Sequence, residues 1–383
     1  MPALAGKTYF NYGGQGPLPE PSLTAIVACW RAIQELGPFT SEVWPLIERT
    51  TASLRQRLAA WLGVESQQVA LTENVTSGCV LPLWGLPWLG GDELLLSDCE
   101  HPGVVAACRE LARRQGLSLA LLPVKDLRGS QAATDAAVLE RLEQRLSPRT
   151  RLVVLSHLLW NTGQVMPIAA VADQLRNHPR QPWLLVDGAQ SLGNLPLADD
   201  GAANAAAAAD IYACTGHKWC CGPEGLGAVA LSQRLLSECR PTIVGWRSLG
   251  HEGSADSDFH TDARRFEVAT SCVPLMAGLD QSLQLLEAEG SASDRLERIQ
   301  SGSWRLWHGL QAIPGCRTLL EVPPPAGLVS FTAAESPERL VQVLGRQRIW
   351  LRSLDDPHCL RACTHITTTD AEIERLLDAL AVA

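Results

Sequence analysis

The 383-residue sequence predicts an α/β fold: a large domain built on a mostly parallel sheet, followed by a smaller α/β unit. Three observations carry this prediction. Short apolar runs that read as buried strands alternate with amphipathic stretches that read as helices, the pattern of strands joined by crossover helices lying on both faces of a sheet. One such run, Leu184-Leu185-Val186, ends in a carboxylate, Asp187, as strands of open α/β sheets do where they meet a ligand. The length also exceeds the ~250–300 residues beyond which a single core usually divides, so two domains are expected.

Along the chain, Gln68-Val69-Ala70 belongs to a strand that gives way to a helix. The first turn of that helix, from Thr72 to Gly78, is rich in hydroxyls and amides. Free N–H groups and the positive end of the helix dipole make such a terminus a phosphate site, with Thr76 and Ser77 as side-chain contributors; a simple capping box looks much the same. Residues 94–97 read as a buried strand and 104–114 as a helix. Between them Pro102 and Gly103 pin His101 at a turn, where an imidazole can lie flat over a planar ligand. A lone histidine is otherwise more often structural. Residues 138–146 read as a helix, and 151–155 and 183–186 as strands. Asp187, at the end of the last, points into a site or caps the next helix.

Ile211-Tyr212-Ala213-Cys214 is the next strand. It stops at Thr215-Gly216, and His217-Lys218 follows, hemmed in by Gly216, Gly222 and Gly225. Glycine lets backbone turn tightly beside a ligand, so Lys218 sits on a constrained loop. It reads either as a surface lysine near a turn or as a Schiff-base lysine for an aldehyde cofactor, with Thr215 and His217 reaching the same ligand. Asp187 favours the second. A carboxylate there keeps the pyridinium nitrogen of pyridoxal 5'-phosphate (PLP) protonated, so that the ring acts as an electron sink, and Gln190 hydrogen-bonds the phenolic oxygen. The Ala-rich residues 202–209 read as a loop insertion or helix extension. Residues 248–261 are polar and Gly-rich, suggesting a mobile segment. Helices over 283–289 and 294–310 lead to strands at 327–331 and 348–351 and a closing helix at 371–380.

Composition narrows the function. A net charge of −9, with 32 basic against 41 acidic residues, argues against a nucleic-acid partner. The start has neither a basic n-region nor a long apolar h-region, and no run reaches the ~18 apolar residues of a membrane span, so a cytoplasmic enzyme is expected. The 12 cysteines are scattered, with no Cys-x-x-Cys and no second ligand pair at zinc spacing, so no metal is expected and most thiols should be buried and reduced. The excess of tryptophan over tyrosine has no functional reading beyond core packing, except that Trp246 is a candidate for the substrate pocket.

In this order, a phosphate turn, a histidine, Asp-x-x-Gln and His-Lys resemble the class V aminotransferase and cysteine desulfurase family, PLP enzymes of fold type I. The resemblance runs nearly end to end, from Tyr9-Phe10-Asn11-Tyr12-Gly13-Gly14-Gln15-Gly16-Pro17 to Arg361-Ala362-Cys363-Thr364. It implies a PLP-dependent transferase fold of type I, with a large domain over 21–255 on a mostly parallel seven-stranded sheet. The smaller domain combines 1–20 with the C-terminal α/β unit of 256–383. Within the family, residues 10–16, 99–103, 156–164, 244–248 and 265–271 are similar to the cyanobacterial cysteine/cystine C–S lyases, which release persulfide, pyruvate and ammonia by β-elimination.

The resemblance assigns Lys218 to the Schiff base, His101 to stacking on the ring, and Asp187 and Gln190 to the pyridine nitrogen and phenolic oxygen. Thr76, Thr215 and His217 fall where the family binds phosphate. Thr270 matches a threonine offered to the neighbouring subunit's phosphate, so a homodimer is expected. Arg361 matches the arginine that grips the substrate α-carboxylate by a bidentate fork. Arg352 reads equally as a second carboxylate contact, useful for cystine, or as a solvated surface arginine.

Two departures bear on mechanism. Desulfurases carry a mobile loop with a nucleophilic cysteine a dozen or more residues before the carboxylate arginine. Here the only cysteine in residues 350–360 is Cys359, two positions from Arg361, and the nearby Asp355 and Asp356 disfavour a thiolate. If a strand carries both residues, the thiol cannot swing over the cofactor, and elimination from a small amino-acid substrate remains. The family also places an asparagine where this chain has Trp160; Asn161 is the candidate to do that work at the cofactor from the next position. The alternatives are a cysteine desulfurase or selenocysteine lyase passing sulfur to an acceptor protein, an aminotransferase or epimerase of the same family, and a non-catalytic PLP-binding relative.

Overall fold

The apolar runs become strands and the amphipathic stretches helices in the computed structural model, which describes residues 1, 4–198, 204–251 and 253–382. The chain begins with β1 (Thr8–Tyr9), α1 (Glu20–Leu36), α2 (Trp44–Leu62), β2 (Val69–Thr72), α3 (Val75–Gly85), β3 (Glu93–Ser97) and α4 (Pro102–Gln115). Next come β4 (Ser118–Leu122), α5 (Gln131–Arg145), β5 (Thr150–Ser156), α6 (Ile168–Asn177), β6 (Trp183–Asp187), α7 (Ala205–Ala208), β7 (Ile211–Thr215) and β8 (Gly227–Leu231). The remainder is α8 (Gln233–Glu238), α9 (Val273–Glu287), α10 (Ala292–Gln311), β9 (Arg317–Thr318), β10 (Leu328–Thr332), α11 (Pro337–Arg346), β11 (Ile349–Trp350), β12 (Arg352–Asp355), β13 (His358–Cys363) and α12 (Asp370–Ala381). Of the Ala-rich stretch, 202–203 lie outside the described residues and α7 is a single turn.

The large sheet has seven strands in the order β2-β8-β7-β6-β5-β3-β4. Neighbours from β7 to β4 pair in parallel, and only β8 runs against β7 and β2. The continuous apolar runs follow from burial on both faces. Leu95, Val153, Leu155, Leu184 and Val186 enter one core and Leu94, Leu96, Leu152, Val154 and Leu185 the other, as the two-residue repeat of a strand requires. Helix starts are set locally: Asn74 caps α3, Ser130 caps α5, and Pro102 occupies the first turn of α4.

A second, antiparallel sheet, β12-β13-β10-β9, carries the C-terminal unit, and β1 pairs in parallel with β11. Phe10 enters that unit's core with Leu306, Leu310, Phe331 and Ile373, so the N-terminal segment packs with the C-terminal unit. The domain boundary expected at 255/256 is displaced by packing. Val273, Met276, Leu279, Leu283 and Leu286 of α9 share the large core with Leu54 and Leu58, and the change of core falls between α9 and α10. Within 248–261, Leu249 and Phe259 form an antiparallel bridge. No helix among the described residues is long and apolar enough to cross a membrane.

Candidate active site

Parallel strands deliver their C-terminal ends to one edge of the sheet, and a cavity opens there. It is lined by Asn74, Val75 and Thr76 at the start of α3, His101 before α4, Ser156 at the end of β5, and Leu158 and Trp160 beyond it. Asp187, Ala189 and Gln190 after β6 and His217 and Lys218 after β7 complete the sheet side. Gly13 and Gly14 of the N-terminal segment, with Arg352 and Arg361 of the small sheet, close the other side. Eight of the residues singled out from the sequence therefore meet in one place: Thr76, His101, Asp187, Gln190, His217, Lys218, Arg352 and Arg361.

Among the described residues the Lys218 amine takes no hydrogen bond or ion pair. Desolvation pushes its pKa down to about 8 against the pull of nearby Asp187, and the guanidinium groups of Arg361 and Arg352 add to the lowering. Asp187 is buried, with Oδ1 accepting from the Ala189 N–H at 2.8 Å. Behind it lies Glu100, a carboxyl absent from the sequence reading of the site. It accepts from Ser97 Oγ, Ser156 N and Ser156 Oγ at 2.5–2.8 Å, and burial raises its pKa to about 7.

Gln190 is held at both ends: Oε1 accepts from Trp219 Nε1 at 2.8 Å, and Nε2 donates to the Gly13 carbonyl at 2.9 Å. His101 accepts the Gly103 N–H at Nδ1, which puts its ring proton on Nε2, and its ring stands edge-on to Trp160 with centroids 5.8 Å apart. Burial, then Lys218, lower its pKa, so it is neutral at pH 7. Thr215 lies behind the wall, its hydroxyl 2.8 Å from His217 Nδ1, and fixes that ring.

Arg361 is 1 % exposed and donates through Nη1 to the Trp160 carbonyl at 2.8 Å. Arg352 sits directly opposite it in the β12–β13 register. The two guanidinium groups have no carboxylate partner among the described residues, so this wall suits an anion. Cys359 shares β13 with Arg361, is fully buried, and its thiol pKa is pushed up to about 11. Cys363, on the same strand, is also buried and its pKa raised.

Other expected residues stand elsewhere. The Asn161 amide is not at the cavity wall: it donates to the Asp356 carbonyl at 3.2 Å, while Trp160 occupies the wall. The left-handed Gly163, φ +83°, turns the chain there and brings that segment against Leu328. Ser77 gives its backbone N–H to the Asn74 cap and is not at the wall. Trp246 is half-buried under Arg247, 4.8 Å from its ring, and Thr270 is exposed; neither lines this chain's cavity. Among the described residues no cluster of His, Cys, Asp and Glu suits a metal ion. Gly13 and Gly14 carried only the family resemblance, and Glu100 only its place before His101; their contacts come from chain segments far apart in sequence.

Residues 40–376 match the family model for aminotransferase class-V. Isopenicillin N epimerase of Amycolatopsis lactamdurans is 29% identical over 97% of this chain and 94% of its own length. A probable cysteine desulfurase of Pseudomonas aeruginosa is 30% identical over 87% of this chain and 82% of its own. Among solved structures, the cystine C–S lyase C-DES in complex with its reaction product cysteine persulfide superposes with a TM-score of 0.93 at 45% identity, covering 99% of this chain and 98% of that one. A lysine-to-alanine mutant of C-DES, with glycine covalently linked to its PLP cofactor, gives 0.92 at 44% identity, covering 99% and 97%. These are fold-type I neighbours, and this chain's seven-stranded, mostly parallel sheet is the one that the family resemblance implied.

Proposed function

The chain belongs to the class-V aminotransferase family, and from that premise we propose that it is a PLP-dependent C–S lyase. It eliminates the sulfur of L-cystine, or of L-cysteine, to give persulfide or sulfide, pyruvate and ammonia. The observation that carries elimination over sulfur relay is the placement of Cys359: it is buried in the strand that holds Arg361, and no cysteine lines the cavity among the described residues. Likeness to the cystine lyase C-DES supports the same substrate class.

The residues fit the cofactor. Lys218 offers an unbonded amine, Asp187 a buried carboxylate for the ring nitrogen, and Gln190 a donor for the phenolic oxygen. The N-terminus of α3 with Thr76, and His217 braced by Thr215, suit the phosphate. His101 covers the ring face. Bound there, PLP supplies an electron sink for the pair left at Cα.

Arg361 grips the α-carboxylate of the substrate and Arg352 a second carboxylate, which cystine has and cysteine lacks. Lys218 Nζ would take the Cα proton of the bound substrate; general-base help of this kind is worth ~10²–10⁴ in rate. Asp187 would hold the proton at the ring nitrogen of the bound cofactor. The Cβ–S bond breaks with its electron pair on sulfur, and with cystine the departing persulfide anion needs no strong acid. The Trp160 and His101 rings shield the reacting atoms from water.

Thr270 is exposed and away from its own chain's cavity, which supports a homodimer in which it reaches the neighbour's phosphate. Exposed Leu23, Val27 and Trp30 on one face of α1 give such an interface apolar surface. We place the enzyme in the cytoplasm, with a sulfur-acceptor protein as the consumer of its persulfide. Purified protein loaded with PLP tests the reading: cystine should yield pyruvate and ammonia in equal amounts, and Lys218→Ala should yield neither. No pyruvate from the loaded wild type would reject it.

A further inference from the structure

Beside the cavity runs a set of hydrogen bonds whose directions are all determined. The Trp219 carbonyl lies 3.1 Å from His365 Nε2, and a carbonyl only accepts, so Nε2 carries the proton. The Cys221 sulfur, 4.0 Å from the same nitrogen, is too distant to reverse that. Burial pushes the His365 pKa down to about 4, so the ring is neutral and Nδ1 is an acceptor. Thr367 Oγ1, at 3.1 Å, must donate to it. With that single proton committed, Thr367 can only accept from the Tyr12 hydroxyl, 2.7 Å away.

At the other end the Trp219 indole, a donor only, must point its N–H at Gln190 Oε1. The Gln190 amide is thereby fixed with Nε2 toward Gly13 and the cavity. Gly13 follows Tyr12, so the chain of bonds closes on itself: Tyr12 to Thr367, to His365, to Trp219, to Gln190, to Gly13. It joins the N-terminal segment, the loop after β13, the Lys218 loop and the end of β6. The Tyr12 and His365 rings, stacked 4.4 Å apart, stiffen it.

We propose that Trp219, with His365 and Thr367 behind it, is a positioning residue that sets Gln190 as a hydrogen-bond donor to the cofactor's phenolic oxygen. The proposal rests on the reading of Gln190 as that donor and makes no use of the substrate. Were the Trp219 N–H absent, only the Gly13 carbonyl would hold the amide, and the donor would be less firmly aimed at the phenolic oxygen.

The test is the pH titration of the visible absorbance of the lysine-bound cofactor, without substrate, in wild type, Trp219→Phe, Gln190→Leu and the double variant. Asp187, Arg352 and Arg361, the charges around Lys218, are unchanged in all four. Trp219→Phe should raise the midpoint by about 0.5–1 pH unit, the worth of one net hydrogen bond. Gln190→Leu should raise it in the same direction, and the double variant should match Gln190→Leu alone. An unmoved midpoint in Trp219→Phe, or shifts that add in the double variant, would overturn the proposal. If Trp219→Phe does not fold or load cofactor, Thr367→Val decides: a smaller shift in the same direction supports the relay, and an unchanged midpoint overturns it. Because no substrate is present, loss of the lyase reading alone would leave this result intact.

Discussion

Lys218 is the residue whose surroundings do most to determine its chemistry. Burial, with Arg361 and Arg352 nearby, brings its pKa to about 8, well below that of a lysine in an unfolded chain. In the cofactor-free protein this has a definite sign. Between pH 8 and about 10.4 the unfolded chain binds a proton that the folded one does not, so stability gained from Lys218 rises with pH across that window. Below pH 8 the folded state holds a desolvated ammonium at full cost. Cofactor-free Lys218→Met should therefore be more stable than wild type at pH 7, with the gap closing toward pH 10 in urea titrations; a pH-independent gap would refute the assignment. Arg361 makes the other residue-scale prediction. Arg361→Ala removes charge-assisted hydrogen bonds worth roughly 1.5–3 kcal/mol, so KM for cystine should rise about 10- to 200-fold with kcat less affected. Arg352→Ala should raise KM for cystine and leave that for cysteine nearly unchanged, the contrast that separates a second carboxylate contact from a surface arginine.

Lys218, Asp187, His101 and Gln190 could be picked out in the sequence because each stands at a turn marked by glycine, proline or the end of an apolar run. The cavity brings all four together. Trp160 and Asn161 could not be told apart that way. Which of two neighbours faces a ligand depends on the left-handed turn at Gly163 and on an amide captured by the Asp356 carbonyl, and neither is a local signal.

At the scale of elements, strand ends are tied to one another beneath the site. Glu100, in the turn between β3 and α4, bonds to Ser156 at the end of β5, whose register partner on β6 is Asp187. Its pKa of about 7 lies above that of an unfolded glutamate, so between about pH 4.5 and 7 the folded state holds more protons. The stability this carboxyl contributes is then present at low pH and lost as pH rises through 7. Glu100→Gln keeps the acceptor for Ser156 and removes the charge. It should raise Tm by roughly 1–2 °C at pH 8, as for about 1 kcal/mol in a chain of this length, and change it little at pH 4.5. The N-terminal segment meets the Lys218 loop as closely. Gly16 N–H bonds to the His217 carbonyl, and a Cβ at Gly16 would stand 2.1 Å from the Lys218 carbonyl oxygen. Gly16→Ala should cost about 1–3 kcal/mol, read as a lower urea midpoint, together with weaker cofactor retention.

The strands were legible because a parallel sheet buries both faces and needs uninterrupted apolar runs. The allegiance of α9 was not. Its apolar stripe looks the same whichever core receives it, and only packing on α1 and α2 assigns it to the large one.

For the molecule as a whole, residues from both sheets line one cavity. The large sheet supplies Lys218, Asp187 and His101, the small one Arg361 and Arg352, and the N-terminal segment crosses between them at Gly13. In the proposed reading the substrate's carboxylates and its reacting carbon would thus be held by different units. The dimer proposed from Thr270 would extend that division to a second chain. Thr270→Ala should lower cofactor affinity in the dimer, and a dimer that dissociates without loss of cofactor would count against that reading.

Elimination and sulfur relay differ in whether sulfur ever resides on a protein thiol. The most direct measurement incubates the PLP-loaded enzyme with L-cystine, identifies the carbon product, and weighs the intact protein by mass spectrometry in the same sample. Elimination gives pyruvate, persulfide in solution and a protein of unchanged mass. Alanine as the carbon product, with added sulfur on a cysteine of the chain, would contradict it.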